Sequence, residues 1–439
     1  MRGMKSTLAL LVILIGVVAY IYFVDSNKPT GDTETKEKAF TDVKADEIEE
    51  LQIKSADGQT TRLQKADGRW QLVEPIKADA DQTETSNITS SLASVDITRV
   101  VDEKGANLQQ YGLDPPRLDV GFRVKGKKDL QRILIGEKTP TGGDLYAQLP
   151  GKTRVFLVNS FLDSTFNKNT FALRDKKVLA FDRDKVDSLA LLQGDKAMAF
   201  AKHGMDWRVT TPVQARGDYT AIEGALERIA SVQMQGITAE NGDDPRKYGL
   251  DRPSATITVG SGSSKATLLL GRTENSVVYA KDEARPMIFT VAQTLATDLF
   301  KDVSEYRRKD LFDARSFTTQ QIDMTRGGET IALTQSKAAD GKEIWKNAAG
   351  KTVDTMKVDD LLSKITALRA DKIEPAANPA LKTPALMVTI RFDDKMMETI
   401  TLAHAGTTIV GSRADEPGTA VIDSTTVFDE VMKAIDAVK

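Results

Sequence analysis

The sequence predicts an α+β protein: one amino-terminal transmembrane helix followed by three tandem repeats, each a mainly antiparallel sheet with packed helices. Three observations predict it. The only three tryptophans, Trp70, Trp207 and Trp345, recur at intervals of 137 and 138 residues. Short alternating apolar segments bounded by turn residues surround each tryptophan, and a stretch of helical spacing follows each one. Without its leading segment, the 439-residue chain divides into three units of ~135 residues, each large enough to bury a core.

The first element is the uncharged run from Ser6 to Val24. As a helix it spans ~28 Å, close to the hydrocarbon thickness of a bilayer. Arg2 and Lys5 precede it, whereas Asp25, Asp32 and Glu34 follow, mixed with Lys28 and Lys36. That asymmetry keeps the amino terminus cytoplasmic and sends the rest across. A cleaved signal peptide is the competing reading. The run ends in Ala19-Tyr20-Ile21-Tyr22-Phe23-Val24, too bulky for a small-x-small cleavage site, so residues 1–24 are read as a signal anchor. Residues 25–38 then form a short solvated tether.

Repeat units are expected over 39–176, 177–312 and 313–439, the last diverged. Each opens with a meander of strands. In the first, Ile48, Leu51 and Ile53 lead to Asp57-Gly58, and a second Asp-Gly turn, Asp67-Gly68, precedes Trp70. A helix follows, marked by Ile88, Leu92 and Val95, by Ile222, Leu226, Ile229 and Val232, and by Leu361, Leu362, Ile365 and Leu368. Tyr111-Gly112-Leu113-Asp114 and Tyr248-Gly249-Leu250-Asp251 read as stops for that helix, with glycine in the left-handed position and proline beyond. Further strands come next. Ile133-Leu134-Ile135-Gly136 answers Leu268-Leu269-Leu270-Gly271, and Tyr146 and Phe156 answer Tyr279 and Phe289. A closing helix carries Leu162 and Phe166, then Leu295 and Leu299, then Val427 and Val431. The third unit keeps Trp345 but has Asn378 to Thr383 in place of the tyrosine run. At the joins, Arg174, Lys176, Leu179, Phe181 and Asp182 match Arg308, Lys309, Leu311, Phe312 and Asp313. No Gly/Ser-rich linker intervenes, which predicts a stiff rod.

Chemistry is sparse in this chain. A net charge of −3 lacks the basic footprint that nucleic acid requires. Zero cysteines exclude disulfides and thiolate chemistry. Gly151-Lys152-Thr153 resembles the tail of a phosphate loop, but Tyr146 stands where the first glycine belongs and a hairpin turn follows Pro150. Gly260 to Lys265 reads as a flexible turn between strands. His203 and His404 are isolated and read as solvent or turn residues, not ligands. Asp79, Asp81 and Glu84 precede a helix and favour its dipole more simply than they form a cation loop. The tryptophans read as core residues in preference to stacking platforms for sugar or ligand. No catalytic, cofactor-binding or metal-ligating residue is assigned, and no cofactor is expected.

The leading apolar run, Trp70 to Pro75, Trp207 to Pro212, and the two Tyr-Gly-Leu-Asp-x-Pro runs together resemble a bacterial domain-of-unknown-function family. Members of that family are often encoded beside gliding-motility-type ABC transporter subunits. The resemblance implies a single-pass protein of the bacterial inner membrane, held by residues 6–24, with the bulk of the chain periplasmic. It also implies ABC transporter permease or ATPase subunits, or gliding-motility-type subunits, as partners. The expected function is a non-enzymatic, membrane-anchored scaffold or accessory protein. The alternatives are a periplasmic glycan- or lipid-binding protein using inter-repeat grooves and, last, a hydrolase with an unrecognised site.

Overall fold

The computed structural model describes residues 37–393 and 396–439. The expected anchor over 6–24, and the tether as far as residue 36, lie outside the described residues. No described helix is long and apolar enough to cross a membrane.

Three nine-stranded antiparallel sheets follow one another along the chain. The first contains β1 (Ile48–Lys54), β2 (Thr60–Ala66), β3 (Arg69–Glu74), β4 (Ala78–Asp79), β5 (Arg99–Asp102), β6 (Leu118–Val124), β7 (Gln131–Lys138), β8 (Asp144–Gln148) and β9 (Val155–Asn159). Their order is β4-β3-β2-β1-β6-β7-β8-β9-β5. The second repeats that order with β10 (Ser188–Gln193), β11 (Lys196–His203), β12 (Asp206–Thr211), β13 (Ala215–Arg216), β14 (Gly236–Ala239), β15 (Ala255–Ser261), β16 (Ser264–Glu274), β17 (Val277–Asp282) and β18 (Ile288–Ala292). So does the third, with β19 (Thr319–Arg326), β20 (Glu329–Lys337), β21 (Glu343–Asn347), β22 (Thr352–Val353), β23 (Lys372–Glu374), β24 (Leu386–Phe392), β25 (Met396–Ala405), β26 (Thr408–Arg413) and β27 (Thr419–Ile422). The α-helices among the described residues are α1 (Gln82–Ala93), α2 (Phe161–Phe166), α3 (Thr170–Leu173), α4 (Tyr219–Ser231), α5 (Thr294–Leu299), α6 (Thr355–Thr366) and α7 (Thr425–Ala437). The mainly antiparallel sheet with packed helices read from the sequence is what forms. The chain divides into two compact units, one ending at Lys176 and one spanning Lys177–Lys439, so the second and third sheets share a unit.

Local chemistry explains each sheet. Asp67 and Gly68 both have positive φ, 49° and 79°, the backbone that a two-residue hairpin turn requires between β2 and β3. Inward-facing residues of β1, β2 and β6, such as Leu51, Leu63 and Val120, pack with Ile88 and Leu92 of α1 in one apolar cluster. Burying each such side chain contributes about 1.5–3 kcal/mol. The third sheet repeats this with Ile322, Leu333, Leu361, Ile365 and Phe428. Asp81, Asp218 and Asp354 cap α1, α4 and α6, each carboxylate accepting from a first-turn amide.

The crossover corrects one expectation. The tyrosine runs do not stop the long helices, because β5 and β14 intervene and run to the far edge of the sheet. Each run instead ends a single 3₁₀ turn, Gln109–Tyr111 or Pro245–Tyr248. The glycines do take the expected left-handed conformation, with φ of 65° at Gly112 and 68° at Gly249. In α7, Phe428 takes the buried position expected of Val427, which is exposed.

The joins are also shifted by one residue at their start. Arg174 bridges Ala80 and Arg307 bridges Gly217, so Arg174 matches Arg307 and not Arg308. Likewise Lys177 bridges Gln233 as Asp310 bridges Arg369, which aligns Val178 with Leu311. The repeated apolar pairs Val178-Leu179 and Leu311-Phe312 are all buried, and a one-residue slip between two adjacent apolar residues leaves no trace in a hydrophobic pattern.

Candidate functional site

The tryptophans fall on equivalent strands, β3, β12 and β21, and are 4%, 2% and 3% exposed. None offers an open face for ligand stacking. The indole N–H of Trp207 donates to Glu223 Oε1 at 2.9 Å, which satisfies the one polar atom that burial would penalise. Burial alone would raise the Glu223 pKa, but this bond and Lys202 outweigh it and hold the carboxylate below its usual range. Pro75 and Pro212 both follow cis peptide bonds.

The tyrosine runs form a repeated contact. The Tyr111 ring packs 4.9 Å from that of Tyr146, tilted by 49°, and the Tyr248 ring 5.0 Å from that of Tyr279, tilted by 55°. The Tyr111 carbonyl lies over Gly136 and the Tyr248 carbonyl over Gly271, where a Cβ would sit only 2.0 and 2.1 Å away. Three landmarks in the sequence are thus one packing arrangement, made twice.

His203 and His404 are exposed and lie on different strands of different sheets. Asp81 is occupied as a helix cap, and Glu84 pairs with Lys168 at 2.9 Å. Gly151-Lys152-Thr153 lies in the loop between β8 and β9, and Gly262-Ser263 is the turn between β15 and β16. Among the described residues no group of three His, Cys, Asp or Glu is arranged to hold a metal ion.

Two features escaped sequence reasoning. The first is a buried ionic network where the segment Tyr306–Leu311 passes from the second sheet to the third. Arg216 donates from its backbone N and Nε to Glu416 Oε1 at 2.9 and 2.7 Å, and from Nη1 to Asp313 at 2.7 Å. Arg307 Nη2 donates to the other Glu416 oxygen at 3.3 Å and to the Pro417 carbonyl at 2.8 Å. Arg413 holds Glu398 at 2.9 Å and the Leu311 carbonyl at 2.6 Å, while Glu398 accepts from the Asp313 and Ala314 amides. Side chains of Arg216, Arg307, Glu398, Glu416 and Arg413 are all at most 7% exposed. Burial would lower the Arg413 pKa, but the hydrogen bonds to Asp415 and Glu398 outweigh it and raise it. The principal carboxylates are paired with guanidinium groups, so the network fixes geometry between the sheets.

The second feature is a cleft of about 440 Å³ in the second sheet's unit, between the β10–β11 turn and the segment after α5. Its apolar lining includes Met198, Pro212, Phe300 and Val303, and Asp195, Lys196, Lys301 and Asp302 line it as well. A shallower groove of about 640 Å³ lies on the third sheet, lined by polar residues such as Gln321, Thr334 and Arg391 together with Met396 and Met397.

Fold and site together define a protein of tandem nine-stranded sheets whose distinctive polar chemistry lies at a sheet junction. A family model described as Domain of unknown function (DUF4340) matches residues 70–205 and 207–385. The chain belongs to the DUF4340 family. The two matches begin at Trp70 and Trp207, the same landmark in successive sheets. No curated protein and no solved structure matches the chain.

Proposed function

We propose that this chain is a non-enzymatic, membrane-anchored scaffold on the periplasmic side of the bacterial inner membrane, serving an ABC-type transport or envelope system. The observation that carries this reading is the junction between the second and third sheets. There, buried arginines and carboxylates at Arg216, Arg307, Arg413, Glu398 and Glu416 are spent on holding two like sheets in fixed register. A scaffold needs that rigidity to present surfaces at a set spacing. The apolar run at 6–24, with its basic amino-terminal flank, supports the anchor and its orientation. The partner class rests on the family resemblance.

Cross-linking in intact cells followed by purification in mild detergent tests the reading. Recovery of a permease or ATPase subunit with the chain is the expected result. Recovery of neither, under conditions that capture a known transporter pair, overturns it.

A further inference from the structure

The three sheets treat the turn between their first two strands differently, and the difference opens the cleft in the second. In the first sheet this turn is five residues, Ser55 to Gln59, and it folds onto the segment between α2 and α3. Asn167 accepts from the Ala56 amide at 3.0 Å, Asn169 donates to Asp57 at 3.1 Å, and the Thr61 and Thr170 hydroxyls meet at 2.7 Å. In the third sheet the turn is tied to α7 and its end by Arg326–Asp436 at 3.1 Å and Lys439–Glu329 at 3.0 Å. In the second sheet the turn is Gly194-Asp195, as short as Gly327-Gly328 in the third, and among the described residues no hydrogen bond or ion pair ties it to the segment after α5.

The residues facing that gap have changed in concert. Strand register aligns Thr61 with Met198, since Ile53 pairs Thr61 as Leu191 pairs Met198. The bridges of Arg174 and Arg307 align Asn167 with Phe300 and Thr170 with Val303. Of the four polar residues that seal the first sheet, three are therefore replaced by a methionine, a phenylalanine and a valine around an open space, and Asn169 is replaced by Asp302. The changes at the Asn167 and Thr170 positions place apolar side chains beside the gap, the lining that a hydrocarbon site requires. The four charged residues alternate in sign: Asp195 and Lys196 on one lip, Lys301 and Asp302 on the other. Asp302 is partly engaged by Ser304, whose N–H and Oγ donate to it at 2.9 and 2.6 Å. The Lys301 side chain has no hydrogen bond or ion pair among the described residues, and the residue is exposed.

From this we infer that the cleft binds a single-chain amphiphile with a zwitterionic phosphate–amine head. Its hydrocarbon chain lies against Met198, Phe300 and Val303, its phosphate meets Lys301, and its amine faces Asp195. A volume of about 440 Å³ lies within the ordinary range for small-molecule sites. The site belongs to one sheet's unit and not to a groove between repeats, and it goes beyond the scaffold reading without depending on it.

The test uses the soluble and membrane fractions, kept together, of cells expressing the full chain. They are incubated with lysophosphatidylethanolamine carrying a diazirine in its acyl chain, irradiated and digested, and the labelled peptides are mapped. Label is expected on peptides containing Met198 and Phe300–Val303, with competition by the unlabelled lipid. Grafting the Ser55–Gln59 sequence in place of Gly194-Asp195, together with Phe300→Asn, rebuilds the first sheet's plug and lowers that label about tenfold. Lys301→Glu, at an exposed position, keeps the wild-type melting temperature and weakens competition about fivefold, which keeps the test decisive if the graft misfolds. Label spread evenly over the described chain overturns the inference. So does label at the cleft that neither variant changes.

Discussion

Glu416 shows what a single buried charge does in this chain. It accepts from Arg216 and Arg307 together, and its side chain is 5% exposed. Glu416→Ala leaves two guanidinium groups buried without that partner. The expected loss is about 3–5 kcal/mol, measured as a shift in the denaturant midpoint, because removing one side of a buried pair strands the other. A loss below about 1 kcal/mol, the range of an exposed pair, would contradict the assignment. Nothing in the sequence singled this residue out. Its partner Arg216 is 200 residues away, and Arg and Glu are too abundant for spacing to reveal the pair. The tryptophans were legible for the opposite reason: a rare residue makes its period visible, and its size makes burial the expected use.

At the level of elements, the tyrosine turns and their facing glycines behave as one unit. Gly271→Ala places a Cβ 2.1 Å from the Tyr248 carbonyl, so backbone must move, and a destabilisation of about 1–3 kcal/mol is expected. Gly224→Ala is the contrast. Gly224 lies in the exposed interior of α4 with nothing near its Cβ position, so this change is expected to stabilise by about 0.5–1 kcal/mol. Thermal melts of the two variants should move in opposite directions, and melts moving together would refute this account of the contact. The third sheet explains itself in the same terms. Strand register places Ala403 where Gly271 stands and Val410 where Tyr279 stands, and both join a small apolar cluster with Ala380 and Leu381 packed on it. Once no carbonyl must lie over the strand, glycine is no longer required, so the landmarks vanish together. The sequence pattern showed that they had gone but not that they touched.

For the whole molecule, the strands and helices were legible and their order in the sheet was not. Alternation and turn residues mark each strand, but they carry no information on which neighbour it pairs with. The crossing of β5 to the far edge, and the pairing of β1 with β6, depend on contacts far apart in the chain. The segment Tyr306–Leu311 carries a further expectation. It is hydrogen-bonded to residues 216–218 of the second sheet and to residues 368–370 of the third. A fragment spanning Lys177–Lys439 should therefore unfold in one transition, with far-UV circular dichroism and tryptophan fluorescence superimposing. Two resolved transitions would show that the paired segment does not couple the sheets.

That shared segment also bears on solubility. A sheet edge is a row of unmet donors and acceptors that recruits other chains and seeds aggregation. Here the short edge strands β4 and β13 are each closed by the segment that leaves their own sheet, at Arg174 and Arg307. A chain that grows by duplicating this module thus brings a cover for each such edge along with the next copy. Lengthening the protein in this way adds surface for partners while one of the two edges of the duplicated sheet is already covered.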